Sequence, residues 1–215
     1  MSGDLYNTIR HMIQEELRQI RTAELGVVQE QHSHASDSDD DNYACTVALR
    51  NSDIVLPKVP VATQRIGIAS IPNINDLVLV QFINGDINAP VITGCFYNDE
   101  DRPPVNDDQQ WVAQLPLGAS ESDALQVSMQ TGEQREISLQ LGDALKVECK
   151  DDDPVLTIEV DGGKATIQID RDGAITMESQ SNIQIKSNDF SIKGSSIAIE
   201  ADGELTLKGS VVNIN

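Results

Sequence analysis

Aromatic side chains are scarce in this chain: one Trp, three Phe and three Tyr among 215 residues. Large aromatics supply much of the buried area of a globular core. Their scarcity argues against one large globular core and for an elongated or repeated architecture. Basic residues are also few, 15 Lys and Arg against 35 Asp and Glu, for a net charge of -20. Such a balance repels the phosphate backbone and anionic headgroups, which opposes nucleic-acid binding and residence on a membrane surface. No apolar run reaches 18 residues, so no transmembrane helix is expected, and the charged residues 1–22 do not read as a signal peptide. The three cysteines, Cys45, Cys95 and Cys149, are odd in number and far apart. They form neither a disulfide framework nor a CxxC zinc site. All three sit in strand-like apolar runs, where cysteine packs as a small hydrophobe, and assembly in a reducing cytoplasm is the simplest reading.

What is present begins with an amphipathic stretch. Leu5, Ile9, Met12/Ile13, Leu17 and Ile20 recur at spacings of three and four, which predicts a helix over residues 4–22 with Asp4 as its cap. Such a helix either packs on its own domain or serves as a docking or self-trimerising element. Strand signals follow at 25–31, 43–49, 54–56, 65–70, 77–83 and 91–97. Pro57, Pro60, Pro72–Asn75, Asn84–Asn88 and Asn98–Pro104 punctuate them. Five or six short strands over this length fit a small barrel or sandwich.

From about residue 125 the texture changes to short strands with few long apolar side chains between them. The units starting at Ile175, Ile183, Phe190, Ile197, Leu205 and Val212 lie seven or eight residues apart. Each opens apolar–polar–apolar and closes on a polar corner. Looser copies occur at Leu125–Val127, Ile137–Leu141, Leu145–Val147, Leu156–Val160 and Ile167–Ile169. Two small hydrophobes per unit cannot enclose a core in one chain, and the period is too short for a hairpin. Three chains wound together, each supplying every third strand, would fill a narrow interior. Ten or so strands at about 4.8 Å would stack into a shaft on the order of 50 Å. A single-chain β-solenoid is the other architecture available, with three units joined into each coil of about 20 residues.

At residues 59–104 the sequence resembles the baseplate assembly protein V and VgrG-like spike family. The resemblance is carried by Asp76, the strand Val78–Val80, Phe82, the Gly85–Asp86 turn, Pro90, the Val91–Ile92 pair and Gly94. Leu77–Ile83 and Pro90–Tyr97 read as the arms of a hairpin with Asn84–Asn88 as its turn. The resemblance implies a mainly β chain: an N-terminal helix (1–23), an OB-fold collar (24–105), a linker (106–124) and an intertwined triple-stranded β-helix needle of a homotrimer (125–215). It implies the central spike of a contractile tail or injection system, assembled in the host bacterial cytoplasm and resident in the baseplate of a virion or injection particle. The hub and inner-tube proteins would be its partners, with a separate tip protein at the C-terminal end. Sheath contraction would drive it through the target envelope, so that it meets a membrane only by mechanical penetration. No catalytic residue and no cofactor is called for.

Other features receive weaker readings. His32 and His34, followed by Asp37 and Asp39–Asp41, have ligand types suited to iron or zinc. Spikes of the family often carry His-x-His at the C-terminal apex, whereas this pair lies near the N-terminus and Val211–Asn215 holds no histidine. Glu100/Asp101 and Asp151–Asp153 pair carboxylates as glycosidases do, but charge runs in loops are ordinarily solvated. OB folds often bind oligonucleotides, which the charge opposes. Trp111 is expected at the junction of the trimer or in a surface loop. A trimeric receptor-binding tail fibre or adhesin shaft is the alternative function, and a monomeric OB module with a disordered acidic tail is a third.

Overall fold

A computed structural model describes residues 2–19 and 21–213. The amphipathic stretch forms helix α1, Ser2–Gln19. Its apolar side chains Leu5, Tyr6, Ile9, Met12 and Ile13 are exposed, so the described part of the stripe does not pack on its own domain. The side chains of Asp4 and Leu17, and Ile20 altogether, lie outside the described part.

Branched apolar residues alternating with polar ones then draw the chain into strands. The first five are β1 (Ala23–His32), β2 (Ala44–Leu49), β3 (Val55–Pro60), β4 (Leu77–Phe82) and β5 (Pro90–Phe96). They pair antiparallel in the order β3-β2-β1-β4-β5. A parallel bridge between Val61 and Ile92, with the Ala62 N–H donating to the Ile92 carbonyl at 2.8 Å, brings the two ends together. The inward side chains form the core: Val28, Cys45, Val47, Val59, Val78, Val80 and Ile92 are fully buried, with Leu49, Leu56 and Phe82 nearly so. Small β-branched residues fill this narrow barrel, and Phe82 is its one aromatic. Gly26 lets β1 approach β2 closely, because a Cβ there would run into Val47 Cγ1 and come within 3.2 Å of the Ala48 carbonyl.

Two expectations change here. Residues 65–70 form no strand. Gly67 has a φ of +99°, the Ile68 N–H donates to the Arg65 carbonyl, and the Thr63 hydroxyl donates to the carbonyls of Arg65 and Ile68. That turn leaves Ile66 90% exposed. Pro57 and Pro60, expected to interrupt, lie inside β3. An outer strand tolerates their missing N–H groups.

The second sheet is a meander of seven strands, each pairing with the next: β6 (Gln110–Leu115), β7 (Leu125–Gln130), β8 (Glu136–Leu141), β9 (Leu145–Lys150), β10 (Leu156–Val160), β11 (Ala165–Ile169) and β12 (Ile175–Ser179). The stretch 106–124, expected to be a link, therefore contains a strand paired along its whole length with β7. Trp111 lies in that strand, not in a loop.

The repeats between 125 and 179 pair with one another inside the chain, contrary to the expectation that their period forbids hairpins. Strands begin at 125, 136, 145, 156, 165 and 175, nine to eleven residues apart. The one to four residues beyond the later seven-to-eight period supply a reversing turn. Past Gln180 the shorter period takes over. There, among the described residues, no strand forms and no backbone pairs with backbone.

Candidate functional site

The register of the second sheet sorts its side chains by face. Val127, Leu139, Val147, Ile158 and Ile167 stand side by side in a middle row, with Ala113 and Met177 at its ends. One flanking row runs Leu115, Leu125, Leu141, Leu145, Val160, Ala165, and ends at Ser179. The other runs Trp111, Met129, Ile137, Cys149, Leu156, Ile169, Ile175. Every position but Ser179 is apolar. Many of these side chains are bare to solvent, from Leu139 at 37% to Ile175 at 66%.

The opposite face is Gln, Ser, Thr, Lys and Glu apart from Val112. Glu148 lies between Lys146, at 2.7 Å, and Lys150, at 3.1 Å. Burial pushes the Glu148 carboxyl up, but hydrogen bonds from both lysines outweigh it, and the group sits below its ordinary value. The bond to Glu148 in turn raises Lys146.

The turns stack along both edges of the sheet. On one edge Gly142 N–H donates to the Ala124 carbonyl, Asp161 N–H to Ala144, and Gln180 N–H to Lys164. On the other, Thr131 N–H donates to Gln109 and Asp151 N–H to Arg135. The Asp151 carboxylate accepts from both the Arg135 guanidinium, at 2.7 Å, and the Arg135 backbone. These bonds hold it below its ordinary value. Asp153 accepts from the Arg171 N–H, and the Arg171 guanidinium donates to the Asp151 carbonyl. The Asp151–Asp153 run thus ties adjacent turns together. Glu100 and Asp101 line an open cleft of about 580 Å³ beside the polar side chains of β6 and β7.

Beyond the sheet, the repeats present Ile183 and Ile185, Phe190 and Ile192, Ile197 and Ile199, and Leu205 and Leu207 as exposed pairs. The last repeat runs on into Ile214 and Asn215, which lie outside the described residues.

The motif residues gather at the β4–β5 hairpin. The Asp76 carboxylate accepts the Asn73 N–H at 2.7 Å and its carbonyl accepts the Val28 N–H, which fastens the start of β4 to β1. Phe82, at the end of β4, pairs with Pro90 at the start of β5. The connection is a 3-10 turn at Ile83–Gly85 in which Asn84 and Gly85 both have positive φ. Asp86 accepts from the backbone and side chain of Asn88. Gly94 faces Leu79 beside a bulge, where an added Cβ would meet nothing within 4 Å.

His32 ends β1, with Nε2 2.9 Å from the Thr46 hydroxyl. His34 lies in the following loop, 3.1 Å from Asp39. The Asp39 carboxylate also accepts backbone N–H groups from Ser36, Ala35 and Asp41. The Ser36 bond leads in keeping its pKa low. Each imidazole thus has its own partner, and among the described residues no three His, Cys, Asp or Glu side chains gather so as to hold a metal ion. Sequence reasoning missed the three-row apolar face. Its signal was the i, i+2 alternation through residues 111–115 and 125–129, once the longer strand spacing is recognised.

Five short antiparallel strands, closed by contact of the third with the fifth, define an OB barrel. Its kind is given by comparison: residues 43–97 match the family described as the Type VI secretion system/phage-baseplate injector OB domain. Over those residues the match bears out the resemblance to the baseplate spike family. No curated protein matches the chain.

Proposed function

We propose that the chain is the trimeric central spike of a contractile tail or injection system, with the OB barrel as a collar and everything from β6 onward as the needle. The observation that carries this reading is the union, in one chain, of a baseplate OB domain with a long sheet whose apolar face stands largely open, with only Asn182 and Ile183 beside its far end. Three such faces turned toward a common axis would bury one another and leave the polar faces outward. The exposed pairs after Gln180 would then find strand partners in the two other copies and wind into a triple-stranded β-helix.

The mechanics suit a piston. Strands β6 to β12 stack in chain order, so their ladder bonds lie along the long dimension of the sheet. An axial push compresses many cooperative bonds together, and the stacked turns brace both edges. Force transmission needs no catalytic residue. The hub and inner-tube proteins are the proposed partners on the collar side, with the exposed stripe of α1 available to them. A tip protein is the proposed partner at the far end. Assembly takes place in the host bacterial cytoplasm, and the target membrane is met only on contraction.

Light scattering tests the trimer: a mass near 70 kDa, three times 23.4 kDa, is expected, and a monomer would overturn the reading. Cryo-electron microscopy of purified particles tests the place. Threefold density matching the collar and sheet is expected on the tail axis below the inner tube. The same density at the end of a peripheral fibre would favour an adhesin shaft.

A further inference from the structure

Two parts of this needle differ in what they lack. Strands β6 to β12 satisfy their backbone groups within the chain and want only a cover for one face. Residues 181–213 make no backbone-to-backbone bond in the chain, and only local serine side chains meet their backbone, at Ser181, Asn182 and Asp189. Ordering such a segment costs backbone entropy at every residue, and with its apolar side chains largely exposed little inside the chain offsets that.

We propose that the apolar face of β6–β12 is the surface that joins the copies, that it does so without residues 181–213, and that this segment folds only onto the assembled end. The inference rests on the trimer reading above and adds where the joining determinant lies and in which order the parts form.

Seven strands at about 4.8 Å span roughly 29 Å, and three alternating positions span roughly 20 Å with their side chains. The planar area of about 600 Å² already reaches the top of the range for the largest apolar patch on an ordinary monomer, about 300–600 Å². The face carries no charged side chain from Trp111 to Met177, while the acidic residues lie on the other face and in the turns. A second copy's face has the same length, spacing and apolarity.

The segment after Gln180 argues for copies over an unrelated partner. Its exposed pairs need strands on both sides with the same short period, and other copies emerging from the same end supply them. Gln180 itself is anchored: its N–H donates to the Lys164 carbonyl at 2.9 Å, and its side chain donates to Gly163 at 3.2 Å. Joining the sheets would therefore tether three such segments at one level. The search of each for its neighbours becomes intramolecular, with effective concentrations on the order of millimolar.

The test uses the full chain and two variants. Ile185→Asp with Ile199→Asp puts charges into the segment and leaves the sheet untouched. Ile158→Asp puts one charge into the middle row. Mass is read by light scattering, and hydrogen exchange is read across the barrel, the sheet and residues 181–213. The segment variant is expected to keep the mass of the wild type near 70 kDa while amides 181–213 exchange freely. The middle-row variant is expected to fall threefold in mass, with the barrel still protected and the segment unprotected. A segment variant that becomes monomeric with its sheet intact would overturn the proposal, as would a middle-row variant that remains trimeric. A monomeric wild type would instead overturn the trimer reading itself.

Discussion

Single residues show how tightly the barrel is drawn. At Gly26 the strands are so close that any side chain collides with Val47. Gly26→Ala is therefore expected to cost about 1–3 kcal/mol, the usual penalty for overpacking a filled core, read from the denaturation midpoint of the barrel. Gly142 combines a φ of +52° with a Cβ direction that runs into the Ser122 carbonyl, so a substitution there would disturb the stacked turns instead of the core. Charge at the sheet edge makes a different prediction. A carboxyl held low in the folded state, as Asp151 is by Arg135, adds stability above its unfolded value and loses it as pH falls through the folded one. Wild type should therefore lose this contribution as pH drops below the ordinary value of 3.8. Asp151→Asn should be less stable at neutral pH and should show a shallower acid decline. Solvent screening keeps the difference small. Thermal midpoints from about pH 7 to about pH 3 would show it.

Among the elements, β5 has a particular duty, because Ile92 both fills the core and meets Val61 where the barrel closes. Ile92→Ala is expected to cost about 2–5 kcal/mol. Because that contact closes the barrel, exchange at the Val61 and Ala62 amides should rise before exchange in the β1–β4 pair. The repeats teach a related lesson about length. Strands nine to eleven residues apart can turn back on themselves, whereas units seven or eight residues apart cannot and stay unpaired in the chain. The apolar–polar–apolar triplet was legible in both regions. The change of partner between them was not, since the triplet alone does not say whether a strand's neighbour comes from its own chain.

For the whole molecule, charge and shape act together. A net charge of -20 keeps a chain with so much bare apolar surface apart from its neighbours outside the intended assembly. That protection should vanish near the isoelectric point of about 4.2, where turbidity is expected to peak, with the Ile158→Asp variant, whose apolar faces no longer cover one another, precipitating more than wild type.

The amino-acid sequence by itself determined the hairpin around Gly85–Asp86, the strands of the barrel other than the proposed one at 65–70, and the repeat that ends the chain. These depend on local matters: turn residues, β-branched alternation and a fixed period. It also carried the baseplate resemblance, because those same hairpin residues form a recognisable run. Tertiary structure decided that Pro57 and Pro60 sit within a strand, that Trp111 belongs to a sheet and that seven consecutive strands turn their apolar side chains one way, Val112 excepted. Each of these depends on which strand lies beside which. Pairing is a property of distant segments meeting in register, and no window of neighbouring residues contains it.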